Sequence, residues 1–255
     1  MSTHRPRGHA TLAADLRRRD DAALAALLRA RPDLLSPVPA DLTSLAARAT
    51  TRPSVLRALD GLNRFQLQVL EACCVLDEPV DPAALPHAVG APTDEALALL
   101  WEQALVFRDE DGRLYLPVSV REAVGLPAGL GPRLGTLLTA YGPRRLEQLA
   151  ADLGGQPLTV LTDAQRLAAL LGDAPPDALR ALDVLTWGPP SGRLDHAQRQ
   201  VTRDTANSAM EWLLARGLVI ATDERAVTLP QEIALHLRGG LVHRQAEPRQ
   251  PDPVT

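Results

Sequence analysis

Groups able to contact a nucleic acid are concentrated in one short stretch, GRLDHAQRQVTRDTAN, residues 192–207. It is rich in guanidinium, imidazole, amide and hydroxyl groups, which proteins use to bind phosphates and base edges. The candidate DNA contacts are Arg193, His196, Arg199, Thr202, Arg203 and Asn207. Three arginines stand against two aspartates, so the net charge of the stretch is only +1. A solvated polar face or a protein contact is therefore the alternative interpretation.

A helix at the end of this stretch would present two of these side chains together. We expect a loop over residues 189–201 and then a helix capped by Thr202, whose hydroxyl suits an N-cap position. Arg203 and Asn207, four residues apart, would share one face of that helix. In a helix-turn-helix protein the third helix enters the major groove and offers such side chains to the bases. Apolar residues of the same segment would serve the core: Ala206, Met210, Leu213 and Leu214.

Recognisable catalytic motifs do not occur in the sequence. It contains neither a GxxxxGK[ST] phosphate loop nor a GxGxxG turn after a strand. The glycine-rich segment GLPAGLGPRLG has no lysine and follows no predicted strand, so we interpret it as a linker. Cys73 and Cys74 lie in an apolar helical pattern typical of buried thiols. The histidines show no metal-ligand spacing: His4, His9, His87, His196, His236 and His243. We therefore expect no enzyme activity, metal, cofactor or small-molecule substrate.

The overall charge limits how the chain could bind DNA. Its 255 residues carry a net charge of −4, and arginine supplies all of the basic side chains. Binding by bulk charge needs clustered basic residues, so a DNA contact would come from a local face and would be weak and salt-dependent. The sequence has no apolar run of membrane length and no signal-peptide pattern. We expect a cytoplasmic protein without a membrane contact, associated with the nucleoid if it binds DNA.

Two distant segments of the chain are similar to each other. LVFRDEDGRLYLP, residues 105–117, and LVIATDERAVTLP, residues 218–230, have the same length and the same order of apolar positions around a polar centre. Each follows a helical pattern that contains a tryptophan, Trp101 or Trp212. Two apolar runs around a polar turn predict a β-hairpin. Three helices followed by such a hairpin is the order of a winged helix-turn-helix domain, so the sequence predicts that this unit is repeated.

The two predicted units differ in charge where a winged helix would meet DNA. The third helix of the first unit, within residues 92–105, contains Asp94, Glu95 and Glu102 and no basic residue. These carboxylates would repel phosphate. We therefore expect the first unit to be a folding or protein-docking module and the second unit to supply any DNA contact.

The predicted fold is mainly α-helical, with an N-terminal helical region and two winged helix-turn-helix units, each with a short β-hairpin wing. The expected domains are an N-terminal helical region (1–61), winged helix 1 (62–127), a helical linker (128–160), winged helix 2 (161–240) and a disordered tail (241–255). Within the first region, we expect the pair Asp20 and Asp21, then Asp41 and Thr51, to cap helices.

Several ordered segments resemble the N-terminal part of one protein family. They are LAADLRRRDDAALAALLRARPDLL, PVPADLTSLAARA, SVLRALDGLNRFQLQVLEAC, LTWGPPSGRL, and WLLARGLV with the later LPQEIALHLRGG. On these segments the chain resembles actinobacterial helicase-associated proteins, longer proteins whose C-terminal part resembles an accessory domain of XPB-type DNA-repair helicases. The resemblance covers residues 12–240 and implies an association with DNA or DNA repair. It implies no helicase activity, because this sequence has no motor motif, and it assigns no functional residue.

Two functions from different classes are therefore expected. The first is a non-enzymatic DNA-associated module of a DNA-repair or helicase-associated protein, with a helicase or another repair protein as a further partner. The alternative is a protein-interaction scaffold that uses its winged helices as docking modules. DNA binding requires Arg193, Arg199 and Arg203 to converge with Asn207 on one exposed surface. A scaffold predicts an exposed apolar patch around the N-terminal helices instead.

Overall fold

A computed structural model describes residues 10–248, which form two compact units. Unit 1 contains the described residues 10–127 and 245–248, and unit 2 is Ala128–Arg244. Unit 2 is thus an insertion in the chain of unit 1. The fold is mainly helical, as predicted, with one two-stranded and one three-stranded antiparallel sheet. Within the described part of the chain, every helix is too short or too polar to span a bilayer.

Unit 1 contains eight α-helices and a short hairpin among its described residues. The helices are α1 (Leu12–Arg18), α2 (Asp21–Ala30), α3 (Leu42–Ala49), α4 (Arg52–Asp60), α5 (Arg64–Val75), α6 (Leu85–Val89), α7 (Asp94–Glu102) and α8 (Val118–Val124). The hairpin strands, which lie between α7 and α8, are β1 (Phe107–Arg108) and β2 (Leu114–Tyr115).

Unit 2 contains seven α-helices and three strands. The helices are α9 (Leu134–Leu138), α10 (Pro143–Leu153), α11 (Pro157–Thr162), α12 (Ala164–Gly172), α13 (Pro176–Trp187), α14 (Ala209–Ala215) and α15 (Gln231–Leu237). The strands are β3 (Ser191–Arg193), β4 (Ile220–Ala221) and β5 (Ala226–Thr228), in the sheet order β3-β5-β4.

Polar side chains determine where several of the N-terminal helices begin. The carboxylates of Asp20 and Asp41 each accept a hydrogen bond from the backbone N–H three residues on, at 2.8 Å and 2.6 Å. These bonds confirm two of the predicted caps. Thr51 occupies the N-cap position of α4, but its hydroxyl donates to the Arg48 carbonyl at 2.9 Å. The predicted side-chain cap is wrong here, because this hydroxyl satisfies one of the open carbonyls at the end of α3 instead.

The N-terminal helices share one hydrophobic core with the end of α7 and with β1. Its buried members are Leu12, Leu16, Leu27, Leu34, Leu45, Ala46, Ala49, Ala104 and Phe107. Beside this core, Arg19 forms an ion pair with the buried Asp15 at 3.0 Å and donates to the Trp101 carbonyl at 2.6 Å. A cation at the C-terminal end of α7 is favoured by the helix dipole. Residues 10–61 and 62–127 therefore lie within one compact unit.

The two hairpins have the same register. Phe107 lies opposite Tyr115 in unit 1, and Ile220 lies opposite Thr228 in unit 2. These pairs occupy equivalent positions in the two similar sequence segments. The repeat seen in the sequence is therefore also a repeat of strand pairing.

A third segment joins the second strand of each hairpin. Val80 forms a β-bridge with Leu114 in unit 1, and β3 places Gly192 opposite Val227 in unit 2. The predicted loop over residues 189–201 is therefore wrong at β3. The apolar pattern gave no sign of this strand, because its three residues are Ser, Gly and Arg and its pairing comes from the backbone alone.

The helix before each hairpin ends in the same left-handed conformation. Ala104 has a φ of 57° and Gly217 a φ of 68° at matching positions of the repeat. In each unit the N–H of the next leucine donates, at 3.0 Å, to the leucine carbonyl five residues earlier. This is the Schellman arrangement, which turns the chain from the helix into the hairpin.

An arginine of the helix after each hairpin binds the end of an earlier helix. Arg121 of α8 donates to the Cys74 carbonyl near the end of α5, at 2.7 Å. Arg238, at the end of α15, donates to the Thr186 carbonyl near the end of α13, also at 2.7 Å, and its guanidinium lies 4.4 Å from the Trp187 ring centre. The two contacts are alike in kind, but Arg121 lies within α8 and Arg238 is the C-cap of α15, so they are not equivalent positions of the repeat.

The region predicted as a disordered tail makes specific contacts as far as it is described. Val242 is buried, and the Gln68 side chain both donates to the Gln245 carbonyl at 3.0 Å and accepts from the Glu247 N–H at 2.9 Å. Arg64 forms an ion pair with Glu247 at 2.9 Å. Both partners belong to α5, so this segment completes unit 1. The remainder of the predicted tail, residues 249–255, lies outside the described residues.

Candidate nucleic-acid interface

The first half of the polar stretch follows the hairpin of unit 2. Beyond β3, the Leu194 N–H donates to the Arg225 carbonyl at 3.0 Å, and the Ala197 N–H donates to the Glu224 carbonyl at 2.9 Å. Ala197 is buried, whereas Arg193 and His196 on either side are exposed. These backbone bonds hold the two candidate side chains on the outside of the sheet edge.

The second half of the stretch is a set of turns and not a helix. The Thr205 N–H donates to the Thr202 carbonyl at 3.2 Å, and the Thr205 hydroxyl accepts from the Thr202 N–H at 3.0 Å. α14 begins only at Ala209, with Ser208 as its N-cap. The predicted helix start at Thr202 is wrong, as is a shared helix face for Arg203 and Asn207. Threonine side chains that bond to nearby backbone compete with helix formation, as here.

One carboxylate, that of Glu211, organises the entrance to α14. It forms an ion pair with Arg199 and accepts a hydrogen bond from the Asn207 N–H at 2.8 Å. The Glu211 N–H donates to the Ser208 hydroxyl at 3.2 Å, so this hydroxyl caps the helix while the Glu211 carboxylate binds the N–H one residue before the cap. The Asn207 amide nitrogen donates to the Thr205 carbonyl at 3.1 Å. Arg199 and Asn207 are therefore brought together, but both are engaged within the protein.

An arginine outside the predicted stretch fixes it to α10. Arg145 donates to the carbonyls of Ala197 and Gln198, each at 3.3 Å, and its guanidinium lies 3.9 Å from the Tyr141 ring centre. The Tyr141 hydroxyl in turn accepts from the Ala221 N–H at 3.1 Å. Burial raises the pKa of Tyr141, so the phenol remains protonated and neutral beneath the arginine. The loop is thus held between α10 and the hairpin.

A cleft of about 350 Å³ opens where this loop meets α10. Its lining residues are Gly142, Pro143, Arg144, Arg145, Gln198 and Gln200. This set contains two guanidinium groups and two side-chain amides, and no carboxylate belongs to it. Such a lining presents hydrogen-bond donors and positive charge to an anion.

The sequence interpretation missed Arg144 and Arg145 because they lie far from residues 192–207 in the chain. The signal that could have pointed to them is local. Gly142 and Pro143 predict the start of a helix, and two arginines follow directly. The helix dipole is positive at this N-terminal end, so basic residues are disfavoured there. Basic residues at that position need another reason, such as binding an anion.

Six exposed arginines of unit 2 have no side-chain hydrogen bond or ion pair among the described residues: Arg144, Arg166, Arg193, Arg203, Arg225 and Arg244. Arg144 lines the cleft, and Arg193 and Arg203 belong to the polar stretch. Arg203 lies near the positive charge of Arg216. The pKa of Arg216 is lowered, first by desolvation and then by Arg203. Asp195 is exposed on the same loop and reduces the positive charge. Of the predicted set, Arg199 and Asn207 are engaged with Glu211, and Arg193 and Arg203 remain unpaired.

The third helix and the hairpin tip of unit 1 are acidic, and those of unit 2 also carry carboxylates, Glu211 in α14 and the exposed Asp223 and Glu224 at the hairpin tip. Asp94 and Glu95 are exposed at the start of α7, and Glu110 and Asp111 are exposed at the tip of the hairpin. α7 contains no basic residue. Phosphate would be repelled at both elements of unit 1.

Among the described residues, no group of three or more histidine, cysteine or carboxylate side chains is arranged to hold a metal ion. Comparisons of the chain with family models, curated proteins and solved structures give no match.

Proposed function

We propose that unit 2 is a non-enzymatic module that binds the phosphate backbone of DNA. The carboxylate-free cleft between α10 and the loop before α14 is the observation that carries this proposal. Arg144 lies at its edge with its guanidinium exposed and unpaired among the described residues. Gln198 and Gln200 add neutral donors beside it. This combination suits phosphate oxygens, which accept several hydrogen bonds and carry negative charge.

The expected affinity is low and falls steeply with salt. Arg144, Arg193 and Arg203 are unpaired at the cleft and the polar stretch, and each phosphate that a basic residue neutralises contributes about −0.9 to the slope of log K against log salt for duplex DNA. The chain as a whole carries a net charge of −4, which opposes long-range attraction to DNA. Binding therefore depends on the local surface.

The repeated order of helices and hairpin supports assigning winged-helix character to both units. Two features occur at equivalent places in both units: a third segment pairs with the second strand of the hairpin, and a Schellman turn precedes the hairpin. Together with the resemblance to helicase-associated proteins, this order supports a role in DNA repair. The proposed location is the cytoplasm, at the nucleoid, and the proposed protein partner is a helicase or another repair protein.

A second candidate function is protein docking by unit 1. The side chains of Leu35 and Val38 are 42% and 77% exposed beside the N-terminal helices, in the region where a scaffold was expected to present an apolar patch. The exposed carboxylates of α7 and of the hairpin tip would suit a basic partner surface. This function is compatible with DNA binding by unit 2, because the two use different residues.

Fluorescence anisotropy with labelled duplex DNA, at low and at physiological salt, tests the leading proposal. The Arg144→Gln/Arg203→Gln variant removes two of the unpaired cations while leaving the Arg145 and Glu211 contacts intact. Arg52→Gln/Arg57→Gln, which removes two exposed charges from unit 1, is the matched control.

We expect binding by the unaltered chain at low salt, a clear loss in the double variant, and no change in the control. Absence of binding at low salt would refute DNA binding by this chain. Equal losses in the double variant and in the control would show that only overall charge matters and would reject the assigned surface.

A further inference from the structure

We infer that unit 2 reads the sugar–phosphate backbone and not the base sequence of its ligand. This inference rests on the proposed function and specifies it further: the ligand is a phosphodiester chain of any sequence. Three features of the site lead to it.

The helix in the position of a recognition helix has no base-reading face. α14 has seven residues, and its N-terminal end is occupied by the Ser208 cap and the Glu211 carboxylate. In helix-turn-helix proteins this end of the recognition helix contacts the base edges. Here it presents an acidic group that is already bonded to Arg199 and to the Asn207 N–H.

The one asparagine of the candidate site is also engaged. Bidentate recognition of adenine needs the amide nitrogen and the amide oxygen of an asparagine in one plane with the base. The amide nitrogen of Asn207 donates to the Thr205 carbonyl at 3.1 Å. Because the preceding turn fixes this side chain, pairing with a base would require breaking that bond and turning the amide outward.

The unpaired cations of the cleft and of the polar stretch lie on three different elements. Arg144 is at the start of α10, Arg193 is on the edge strand β3, and Arg203 is in the turn before α14. None of the three is on the helix that would enter a groove. Separate positive charges of this kind match the spaced phosphates of a backbone, which carry no sequence information.

The test uses the full chain and anisotropy titrations with unlabelled competitors of equal length. The competitors are A·T-rich, G·C-rich and mixed-sequence duplexes at one salt concentration. We expect their dissociation constants to agree within about threefold, less than a single base mismatch costs a sequence-specific protein. Each of the single variants Arg144→Gln, Arg193→Gln and Arg203→Gln should reduce the salt slope by about 0.9 for every competitor alike. Arg57→Gln should leave the slope unchanged.

A preference of about tenfold or more for one sequence, reduced in Asn207→Ala, would overturn the inference while leaving DNA binding intact. Unchanged salt slopes in all three arginine variants, with binding retained, would overturn the assigned contacts. Absence of binding to every competitor at low salt would overturn both this inference and the proposed function.

Discussion

Replacing Gly217 with alanine tests the physical basis of the structural repeat. Gly217 ends the helix before the second hairpin with a φ of 68°, a conformation that L-residues other than glycine adopt at a cost. A Cβ atom on this residue would lie 2.9 Å from Leu161 Cδ1 and 3.3 Å from Leu149 Cδ2. Both leucines are buried, so they have little room to move.

The expected loss combines two costs. The left-handed conformation disfavours alanine by about 1–2 kcal/mol, and an extra methyl group in a packed core costs about 1–3 kcal/mol. We expect Gly217→Ala to lower the free energy of unfolding of unit 2 by about 2–5 kcal/mol. Ala104, the equivalent residue of unit 1, is the matched control. Its change to glycine relieves about 1 kcal/mol of backbone strain but removes a buried methyl worth about 0.8 kcal/mol, so the net effect should be near zero.

Amide hydrogen exchange followed by mass spectrometry measures the stability of each unit separately. Peptides from α14 and from the hairpin of unit 2 should lose protection in Gly217→Ala, while peptides from unit 1 should not. A loss below about 0.5 kcal/mol in unit 2 would refute the reasoning, because neither cost would then operate. A large loss in Ala104→Gly would show that the two positions are not physically equivalent.

Three further predictions concern other parts of the chain. Burial raises the pKa of Cys74 to about 12, so the reactive thiolate is scarce at neutral pH. A thiol reagent at pH 8 should label neither Cys73 nor Cys74 in the folded chain, and it should label both in urea. Rapid labelling of the folded chain would contradict the burial of these thiols. The hydrogen bond from the Ser44 N–H lowers the pKa of Asp41, so this cap stabilises the fold above the unfolded pKa near 3.8 and is lost as the pH falls through the folded pKa. In Asp41→Asn, the loss of helix content that comes from protonating Asp41 should disappear from an acid titration followed by circular dichroism. An unchanged acid titration would count against the cap. Gln68→Leu should release residues 245–248 and cost about 1–3 kcal/mol through two lost hydrogen bonds; unchanged exchange of the amides in that segment would show that the side chain does not hold it.

Local patterns were sufficient for much of the fold. The carboxylates of Asp20 and Asp41 lie where a helix needs an acceptor, and each bonds only three residues away. The two hairpins were predicted because their apolar positions flank a polar turn, with Gly112 at a φ of 78° in the first. These caps and turns depend only on residues that are close in the chain, so a short segment of sequence is enough to predict them.

The candidate site was less predictable because its parts come from distant segments. Thr202 has the side chain of an N-cap, but so does Ser208, and only Ser208 is followed three residues later by a glutamate, which binds the Asn207 N–H before the helix. Arg145 of α10 binds the loop by donating to two of its backbone carbonyls, and every residue has a backbone carbonyl, so the sequence does not indicate which one accepts. The candidate contacts therefore changed from one helix face to a cleft lined by Arg144, together with the exposed Arg193 and Arg203.

The sequence by itself determined the helical class, the repeat, the acidic character of α7 and the absence of recognisable catalytic motifs, because composition and short-range spacing specify them. The tertiary structure alone decided which polar groups remain available. Glu211 engages Arg199, Gln68 binds the segment around Glu247, and the backbone of β3 pairs with β5. Each is a long-range hydrogen bond or ion pair whose partner is set by how the chain folds back on itself, and side-chain type does not encode that.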